Sequence, residues 1–337
     1  MASASPSPRP QVKRQTNTIG IAICTYKRPD ALSLCLEGLA AQTRRPDEVM
    51  IIARPDDDAT HELMRLRADD GLTWRIVPVE RPGLIAARNV ALSANRSDVL
   101  VFCDDDTVAH PDWVERILAH FQRDPTLGGL GGRDRCHDGE RFDEEQKRVV
   151  GRVQWFGRTI GNHHRGYGPP REVHFLKGAN MSYHAEAIEG LRFDERLRGK
   201  GAQAHDDLSF SLAVWRARWK LLYDPAVLLD HYAFKRDQPR SYVASAALAD
   251  PAGYYDSCYN YALVLSEQVP GYSFMLYVLW SFFVGIRSYP GLVQLARLTL
   301  HGEKDTWRKF LLFQHALWLV CGSALSSKLS ESGHRLG

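Results

Sequence analysis

The sequence predicts an α/β fold in which helices cover both faces of a mostly parallel, doubly wound sheet. Two observations lead to this prediction. Short apolar runs alternate with amphipathic stretches along the first third of the chain, as strands and helices do in such folds. Polar or acidic loops follow the apolar runs, and ligands of these folds bind at the carboxyl ends of the strands. We therefore expect the functional residues at that edge of the sheet.

The individual elements follow from local patterns. Short apolar runs typical of buried parallel strands predict strands over 19–24, 48–52, 74–79 and 97–102. Leucines at 32, 36 and 39 give a helical spacing, and helices are predicted over 31–42, 60–67 and 83–94. Further along, 206–219 is amphipathic and 221–231 resembles a strand that ends in a histidine.

Composition limits the function. The 337 residues are 44% hydrophobic and 25% charged, which is ordinary for a globular protein with a sizeable core. A net charge of +3 does not imply a nucleic-acid partner. Six scattered cysteines without a Cys-x-x-Cys pair argue against a zinc site or a disulfide framework and favour a reducing cytosol.

The beginning of the chain, residues 1–17, is expected to be a disordered tail. It is rich in Ser and Pro and lacks the apolar core of a secretory signal.

Three consecutive acids, Asp104, Asp105 and Asp106, follow the fourth apolar run. Adjacent carboxylates at the end of a buried strand repel one another, and a divalent cation relieves that repulsion. Oxygen ligands of this kind suit Mg²⁺ or Mn²⁺, which often bridge carboxylates and substrate phosphates. A solvated acidic turn is the alternative interpretation of the triplet alone.

The surrounding residues resemble the nucleotide-binding half of a family 2 glycosyltransferase with the GT-A fold. The resemblance is carried by Thr25-Tyr26-Lys27-Arg28-Pro29, by the segment from Arg81 to Asn89, and by the acidic triplet followed by Pro111-Asp112-Trp113. It implies that Asp106 ligates the metal. It also implies that the nucleotide sugar is bound by a set comprising Thr25, Tyr26, Arg28, Arg54, Asp56, Arg88, Asp104 and Asp105, although a structural salt bridge is an alternative role for Arg88.

One departure concerns the base of the nucleotide. Family members commonly place an Asp-containing turn directly after the second strand to bind uracil, whereas here Arg54 and Pro55 precede Asp56. Base contact could therefore shift to Arg54 or Asp56, so a UDP-sugar is only weakly favoured as the donor. The acids at 56–58 could instead serve as the acidic N-terminus of a helix.

The second half resembles the acceptor side of the same family. Gly178 and Asn180 match a Gly-x-Asn-Met segment that lines the acceptor site, although Asn180 could equally pin a turn. Asp206 and Asp207 occupy the place of the Glu-Asp pair, which implies that Asp207 is the catalytic base and that Asp206 supports it. Capping of a helix is the alternative, and it is compatible with catalysis. The resemblance also implies that His231 is a second metal ligand. A purely structural role is the alternative.

The C-terminal third is apolar and aromatic over 272–286 and again over 310–324, beside basic residues. The first stretch is shorter than the roughly 20 residues a membrane-spanning helix needs. Aromatics beside basic residues suit a bilayer interface, so we expect helices that lie on the cytoplasmic leaflet; a helical subdomain packed on the catalytic domain is the alternative.

The sequence thus predicts a disordered tail (1–17), a GT-A catalytic domain (18–235, divided into a nucleotide-sugar half, 18–132, and an acceptor half, 133–235) and a helical, membrane-associating region (236–337). The expected function is inverting, metal-dependent glycosyl transfer from a nucleotide diphosphate sugar to a saccharide or lipid-linked acceptor at the cytoplasmic face of the membrane, in cell-surface polysaccharide or glycolipid assembly. A catalytically silent scaffold of a polysaccharide assembly complex and another nucleotide-diphosphate metalloenzyme are the alternatives.

Overall fold

A computed structural model of the chain describes residues 8–67, 71–232 and 250–333. The chain divides into two compact units. The sheet unit comprises residues up to 152, 160–194 and 210–235; the helical unit comprises 153–159, 195–209 and the chain from 236 onward. The boundary expected between the catalytic and C-terminal regions, at 235/236, lies outside the described residues, as do residues 1–7 of the expected tail.

The strands of the described residues are β1 (Ile19–Cys24), β2 (Glu48–Ala53), β3 (Trp74–Pro78), β4 (Val99–Asp104), β5 (Thr107–Ala109), β6 (Leu127–His137), β7 (Arg152–Val153), β8 (Thr159–Ile160), β9 (Arg171–Glu172), β10 (Asn180–His184) and β11 (Lys220–Tyr232). The helices are α1 (Pro29–Ala40), α2 (Asp58–Leu66), α3 (Leu84–Ala94), α4 (Trp113–Arg123), α5 (Asp206–Arg216), α6 (Pro251–Gln268), α7 (Gly271–Phe283), α8 (Leu292–Leu300) and α9 (Thr306–Gly333).

The central sheet has the strand order β3-β2-β1-β4-β10-β6-β11-β5, and β9 pairs with β11. The first four strands in that order are parallel, as are β6 and β11, while β10 is antiparallel to both of its neighbours. Ile19, Ile21 and Ile23 of β1 are fully buried, as a parallel strand covered on both faces requires. The predicted α/β fold with a mostly parallel sheet is confirmed.

The register of the sheet brings the ends of three strands together. β4 runs two residues further than predicted, so that Asp104 is its last residue and pairs with Cys24 of β1. β11 lies between β5 and β6, and His231 is opposite Thr107 on one side and Cys136 on the other. The acidic triplet and His231 therefore meet at one edge of the sheet.

Residues 8–17 differ from the disordered tail that their composition predicts. The amide of Val12 donates to the carbonyl of Pro125, and Arg9 pairs with Glu172. Thr16 is buried, with its hydroxyl 3.2 Å from the ring of His184. Hydrogen bonds and one buried side chain hold this segment on the sheet unit, and composition alone does not encode such contacts.

The helical unit is built mainly from α6 to α9. The rings of Tyr261 and Tyr289 stack at 5.2 Å, and Tyr289 stacks on Phe313 of α9 at 5.1 Å. Asn260 of α6 is fully buried. Within the parts of the chain that the structure describes, every helix is too short or too polar to cross a bilayer.

Candidate active site

The acidic triplet is held by the loop that follows β1. The hydroxyl of Thr25 donates to Oδ2 of Asp105 at 2.8 Å, and the Arg28 guanidinium contacts Oδ1 of Asp105 and Oδ2 of Asp106, the latter at 2.8 Å. Asp105 and Asp106 are buried, whereas Asp104 is partly exposed. Asp105 thus faces the protein and fixes the loop to the end of β4.

Burial raises the pKa of Asp105 to about 7, and the Asp106 carboxylate beside it acts in the same direction, against the opposing charge of Arg28. The buried carboxylates of Asp105 and Asp106 share the one guanidinium of Arg28.

His231 lies between two buried carboxylates. Its Nε2 is 3.0 Å from Oδ1 of Asp106, and its Nδ1 is 3.6 Å from Oδ2 of Asp134. Burial alone would lower the pKa of His231, but its interactions with the carboxylates of Asp106 and Asp134 outweigh that effect and raise the pKa to about 9.

Asp134 and Lys177 also belong to this cluster, although neither is among the site residues predicted from the sequence. Asp134 is fully buried near the end of β6 and pairs with the ammonium of Lys177. Burial would raise the pKa of Asp134, but Lys177 and His231 hold it well below the usual range. The available signal was the charged pair Arg133-Asp134, which directly follows the glycine-rich apolar run 127–132.

Asp104, Asp106 and His231 offer one ligand atom each, and these atoms lie within 4.8 Å of one another. Asp134, Cys136 and His231 form a second such group within the described residues, which shares its histidine with the first. Two carboxylate oxygens and an imidazole nitrogen are a donor set that Mn²⁺ and similar divalent ions accept.

Arg88 of α3 is buried next to the triplet. Its guanidinium lies 3.8 Å from Oδ1 of Asp104, 3.4 Å from the carbonyl of Gly178 and over the ring of Phe193. A Cβ atom on Gly178 would be 2.7 Å from Nη2 of Arg88. The glycine therefore makes room for the guanidinium beside Asp104.

Tyr26, Arg54 and Asp56 form a partly exposed group at the ends of β1 and β2. The guanidinium of Arg54 lies over the Tyr26 ring at 5.0 Å, Tyr26 donates to Asp56 at 3.2 Å, and Arg54 pairs with Asp56 at 2.9 Å. Asp57 beside them is fully buried, caps α2 through Thr60 and accepts from the amide of Lys27. Aromatic, cationic and acidic side chains thus lie together at the ends of β1 and β2.

Asn180 has a structural task. Its Oδ1 accepts from the indole of Trp113 at 3.1 Å, and its Nδ2 donates to the carbonyls of Arg133 and Val227 at 3.1 and 2.9 Å. The side chain is buried and locks β10 to its surroundings. A contact between Asn180 and an acceptor stays a prediction.

Asp206 and Asp207 begin α5 in a segment that belongs to the helical unit. Asp206 is buried, and Asp207 accepts from the amide of Leu208 at 2.7 Å. Asn260 fixes the segment that precedes Asp206 and Asp207, because its Nδ2 donates to the carbonyls of Arg198 and Ala204.

His205 anchors the same segment. It adopts a φ of 71°, and its Nε2 lies 3.0 Å from the hydroxyl of Tyr289 and 3.2 Å from that of Ser257. A left-handed histidine persists only where its surroundings impose it. The start of α5 is therefore fixed by α6 and by the turn that carries Tyr289.

Comparisons with known proteins identify the fold and the family. The sheet and its edge define a GT-A fold of the kind that binds nucleotide sugars. The family model "Glycosyl transferase family 2" matches residues 20–191, so the chain belongs to that family and is a glycosyltransferase. It is 25% identical over 231 residues to the glucosyl-dolichyl phosphate glucuronosyltransferase of Haloferax volcanii, which covers 64% of this chain and 70% of that protein.

Two solved structures share the fold. TarS of S. aureus (residues 1–349), in complex with UDP-GlcNAc, has a TM-score of 0.58 at 15% identity and covers 89% of this chain and 80% of its own. The mannosyltransferase PcManGT of Pyrobaculum calidifontis, in complex with GDP-Man and Mn²⁺, has a TM-score of 0.54 at 16% identity. The match covers 96% of this chain and 91% of the mannosyltransferase chain. The predicted GT-A fold is confirmed.

Proposed function

We propose that this glycosyltransferase transfers a sugar from a nucleotide diphosphate donor with inversion, in a reaction that depends on Mn²⁺ or Mg²⁺. The observation that carries the proposal is the convergence of Asp104, Asp106 and His231 at the carboxyl ends of β4 and β11. Open α/β sheets bind their ligands at this edge.

Asp106 and His231, with Asp104 beside them, would hold the metal, and binding would release the proton that the raised pKa of His231 keeps on the imidazole. Their donor atoms are close enough to share one ion, and two are buried while Asp104 keeps an exposed side for a phosphate. A divalent ion bound there would neutralise the negative charge of the departing diphosphate. Mn²⁺ is present in the mannosyltransferase complex named above, and that supports the choice of ion.

The donor would be held by the loops after β1 and β2. Tyr26, Arg54 and Asp56 offer a ring, a guanidinium and a carboxylate to the base. Arg28 and Arg88 bring positive charge to either side of the triplet for the diphosphate and the sugar. The solved relatives bind UDP-GlcNAc and GDP-Man, which supports a nucleotide sugar but leaves UDP only a weak preference here.

Asp207 would act as the base. Its carboxylate takes the proton of the acceptor hydroxyl while that oxygen bonds to the anomeric carbon. The bond from the anomeric carbon to the diphosphate oxygen breaks in the same displacement, and the nucleotide diphosphate leaves with its electron pair. A single displacement inverts the anomeric centre. Asp206, buried at the start of α5, would support Asp207.

The acceptor would be a saccharide or a lipid-linked saccharide, with Gly178 and Asn180 on its side of the site. The Haloferax relative is named for a glucosyl-dolichyl phosphate acceptor, which supports a lipid-linked one. A lipid-linked acceptor lies in a membrane, so we propose a peripheral location at the cytoplasmic face of the membrane and a role in cell-surface polysaccharide or glycolipid assembly. In this proposal residues 18–235 form the catalytic domain and 236–337 the membrane-associating region.

Isothermal titration calorimetry with a panel of nucleotide sugars, with and without Mn²⁺, tests the proposal on the wild type and on Asp106→Ala. We expect one donor to bind in the presence of Mn²⁺ and that binding to disappear in Asp106→Ala. Asp112→Ala is the matched control, because Asp112 is a partly exposed acid that pairs with Arg116 one turn along α4 and belongs to neither candidate ligand group. A folded wild type that binds no donor with Mn²⁺ present would overturn the proposal.

A further inference from the structure

Helix α7 presents an apolar face to the solvent. The helix contains no charged residue. Its outward positions follow helical spacing and are between 38% and 69% exposed: Tyr272, Met275, Leu276, Leu279 and Phe283. A surface helix of a water-soluble protein carries polar residues on its solvent-facing side. The exposed apolar face of α7 therefore indicates contact with an apolar environment.

An aromatic turn extends this face. Trp155 is 74% exposed, and its carbonyl accepts from the hydroxyl of Ser273 at the start of α7 at 2.8 Å. Gly157, with a φ of 91°, lets the turn lie against the helix, since a Cβ there would be 3.0 Å from that of Tyr277. These backbone contacts thus fix the turn that carries the exposed indole next to the apolar face of α7.

The next two helices repeat the pattern. Leu292, Val293 and Leu300 are exposed on α8, and Trp307, Leu311 and Trp318 on α9. On α9 the three lie within about one-sixth of a turn of one another at the helical period of 3.6 residues. Tryptophan and leucine on the outward side of consecutive helices are typical of elements that lie in a bilayer interface.

The charge of the protein is concentrated in the same region. Residues 271–323 contain five basic residues (Arg287, Arg297, Lys304, Arg308 and Lys309) and only two acids, Glu303 and Asp305. The chain as a whole has a net charge of +3, so the remainder is neutral on balance. Arg297, Lys304 and Arg308 are exposed. Basic residues beside an apolar face are attracted to anionic lipid headgroups.

We propose that α7, with Trp155 and the basic surface of α8 and α9, docks on an anionic bilayer and holds the enzyme there without spanning it. This inference rests on the membrane location in the proposed function and names the surface and the lipid charge. The concentrated positive charge distinguishes this occupant from a second copy of the chain, because two identical cationic faces repel each other.

Flotation with lipid vesicles tests the proposal on the full-length chain. Vesicles of phosphatidylcholine with phosphatidylglycerol are compared with vesicles of phosphatidylcholine alone. We expect the wild type to float with the anionic vesicles, and Met275→Glu/Leu279→Glu to reduce that binding by more than about tenfold. Leu66→Glu is the matched control, since Leu66 is 77% exposed on the sheet unit and should leave binding unchanged.

The charge is tested separately with Arg297→Gln/Arg308→Gln, for which we expect a loss of about fivefold for each arginine and a steep decline with salt. Absence of vesicle binding by the wild type, or binding that is indifferent to the α7 substitutions, would overturn the proposal. Self-association that the α7 substitutions abolish would also overturn it and make the face an interface between copies.

Donor binding separates this inference from the proposed function. Calorimetry with UDP or GDP and Mn²⁺ is run on the same variants. We expect the α7 substitutions to leave the affinity for the nucleotide unchanged. If the α7 variant loses vesicle binding but still binds nucleotide, the substitutions have affected the docking surface alone. A wild type that floats with vesicles but binds no nucleotide would contradict the proposed function and not the docking surface.

Discussion

His231 and Asp106 meet across two strands that are distant in sequence, with Nε2 of the histidine 3.0 Å from Oδ1 of the aspartate. The pairing of β11 with β5 brings them together, and the amide of Tyr232 donates to the carbonyl of Asp106 at 2.9 Å. Backbone pairing thus fixes the spacing of the two side chains. A site built on strands in this way is more exact than one built on loops.

We expect His231→Gln to weaken Mn²⁺ binding by at least about tenfold, because the substitution removes the imidazole and its bridge to Asp134. Electron paramagnetic resonance of free Mn²⁺ measures the affinity directly. His110→Gln is the control, since His110 pairs with Asp230 nearby but belongs to neither candidate ligand group. Equal Mn²⁺ affinity in the two variants would contradict a ligand role for His231.

We expect Gly178→Ala to reduce donor affinity by about tenfold, comparable with the loss of one charged hydrogen bond. The added methyl group would lie 2.7 Å from Nη2 of Arg88 and displace the guanidinium from Asp104. Calorimetric titration with the nucleotide sugar measures the change. Gly161→Ala is the matched control, because a Cβ at Gly161 meets nothing within 4 Å. Unaltered affinity in Gly178→Ala would show that Arg88 does not serve the donor.

We expect Asp207→Asn to lower kcat by a factor of about 100 to 10,000, while the affinity for the donor stays the same. Asparagine keeps a side-chain oxygen that can accept from the amide of Leu208, so this change separates catalysis from the structural contact at the start of α5. Asp250→Asn at the start of α6 is the control, because Asp250 caps that helix through Gly253. Turnover that survives in Asp207→Asn would assign the base to another residue.

We expect Asn260→Ala to lower kcat without a change in donor affinity. The fully buried amide holds Arg198 and Ala204, which precede Asp206 and Asp207, and its loss should also lower stability by about 1–3 kcal/mol. Steady-state kinetics and urea unfolding measure the two effects. Ser266→Ala on the same helix is the control, since its hydroxyl bonds within α6. A variant that is destabilised but keeps a normal kcat would reduce Asn260 to a structural role.

The stability that His205 contributes should be lost as the pH drops from 6.5 towards 4, whereas Asp105, whose pKa burial raises to about 7, should act in the opposite direction. Burial lowers the pKa of His205 from 6.5 to about 4, while the Asp207 carboxylate opposes the shift. In this pH range the histidine binds a proton in the unfolded chain but stays neutral in the folded chain. Its contribution to the free energy of unfolding therefore decreases by an amount on the order of 3 kcal/mol.

Urea unfolding of the wild type and of His205→Gln at several pH values measures this loss as the difference between the two profiles, because the contribution of Asp105 is common to both. Tyr289, Ser257 and Tyr261 surround the ring, and none of these three side chains is charged in this range. His164, whose pKa burial also lowers to about 4, should keep part of the slope in the variant. Profiles of identical slope would show that His205 is not the group that titrates.

Local patterns were sufficient for much of the fold. Alternating apolar and amphipathic runs located β1 to β4 and the helices between them within a few residues, because burial on both faces of a parallel sheet demands continuous apolar runs. Residues 8–17 departed from the expectation, since Thr16 is buried by contacts with distant parts of the chain that composition cannot report.

The candidate site was only partly accessible from the sequence. Thr25, Arg28 and the triplet stand next to predicted strand ends, and they do contact one another. Asp134 and Lys177 were missed because neither belongs to a recognised motif, and their pairing depends on β6 and β10 lying side by side. Asn180 stands in a recognised segment, but only the surrounding strands reveal its three internal hydrogen bonds.

The sequence by itself determined the fold class, the edge of the sheet that carries the polar residues and the family, because these depend on local periodicity and on the order of short motifs. Only the tertiary structure decided which side chains share an environment. His231 gains its raised pKa, Arg88 its place beside Gly178, and α7 its exposed apolar face from packing against residues far away in the chain. Burial and charge act over a few ångströms of space, and separation along the sequence does not measure that distance.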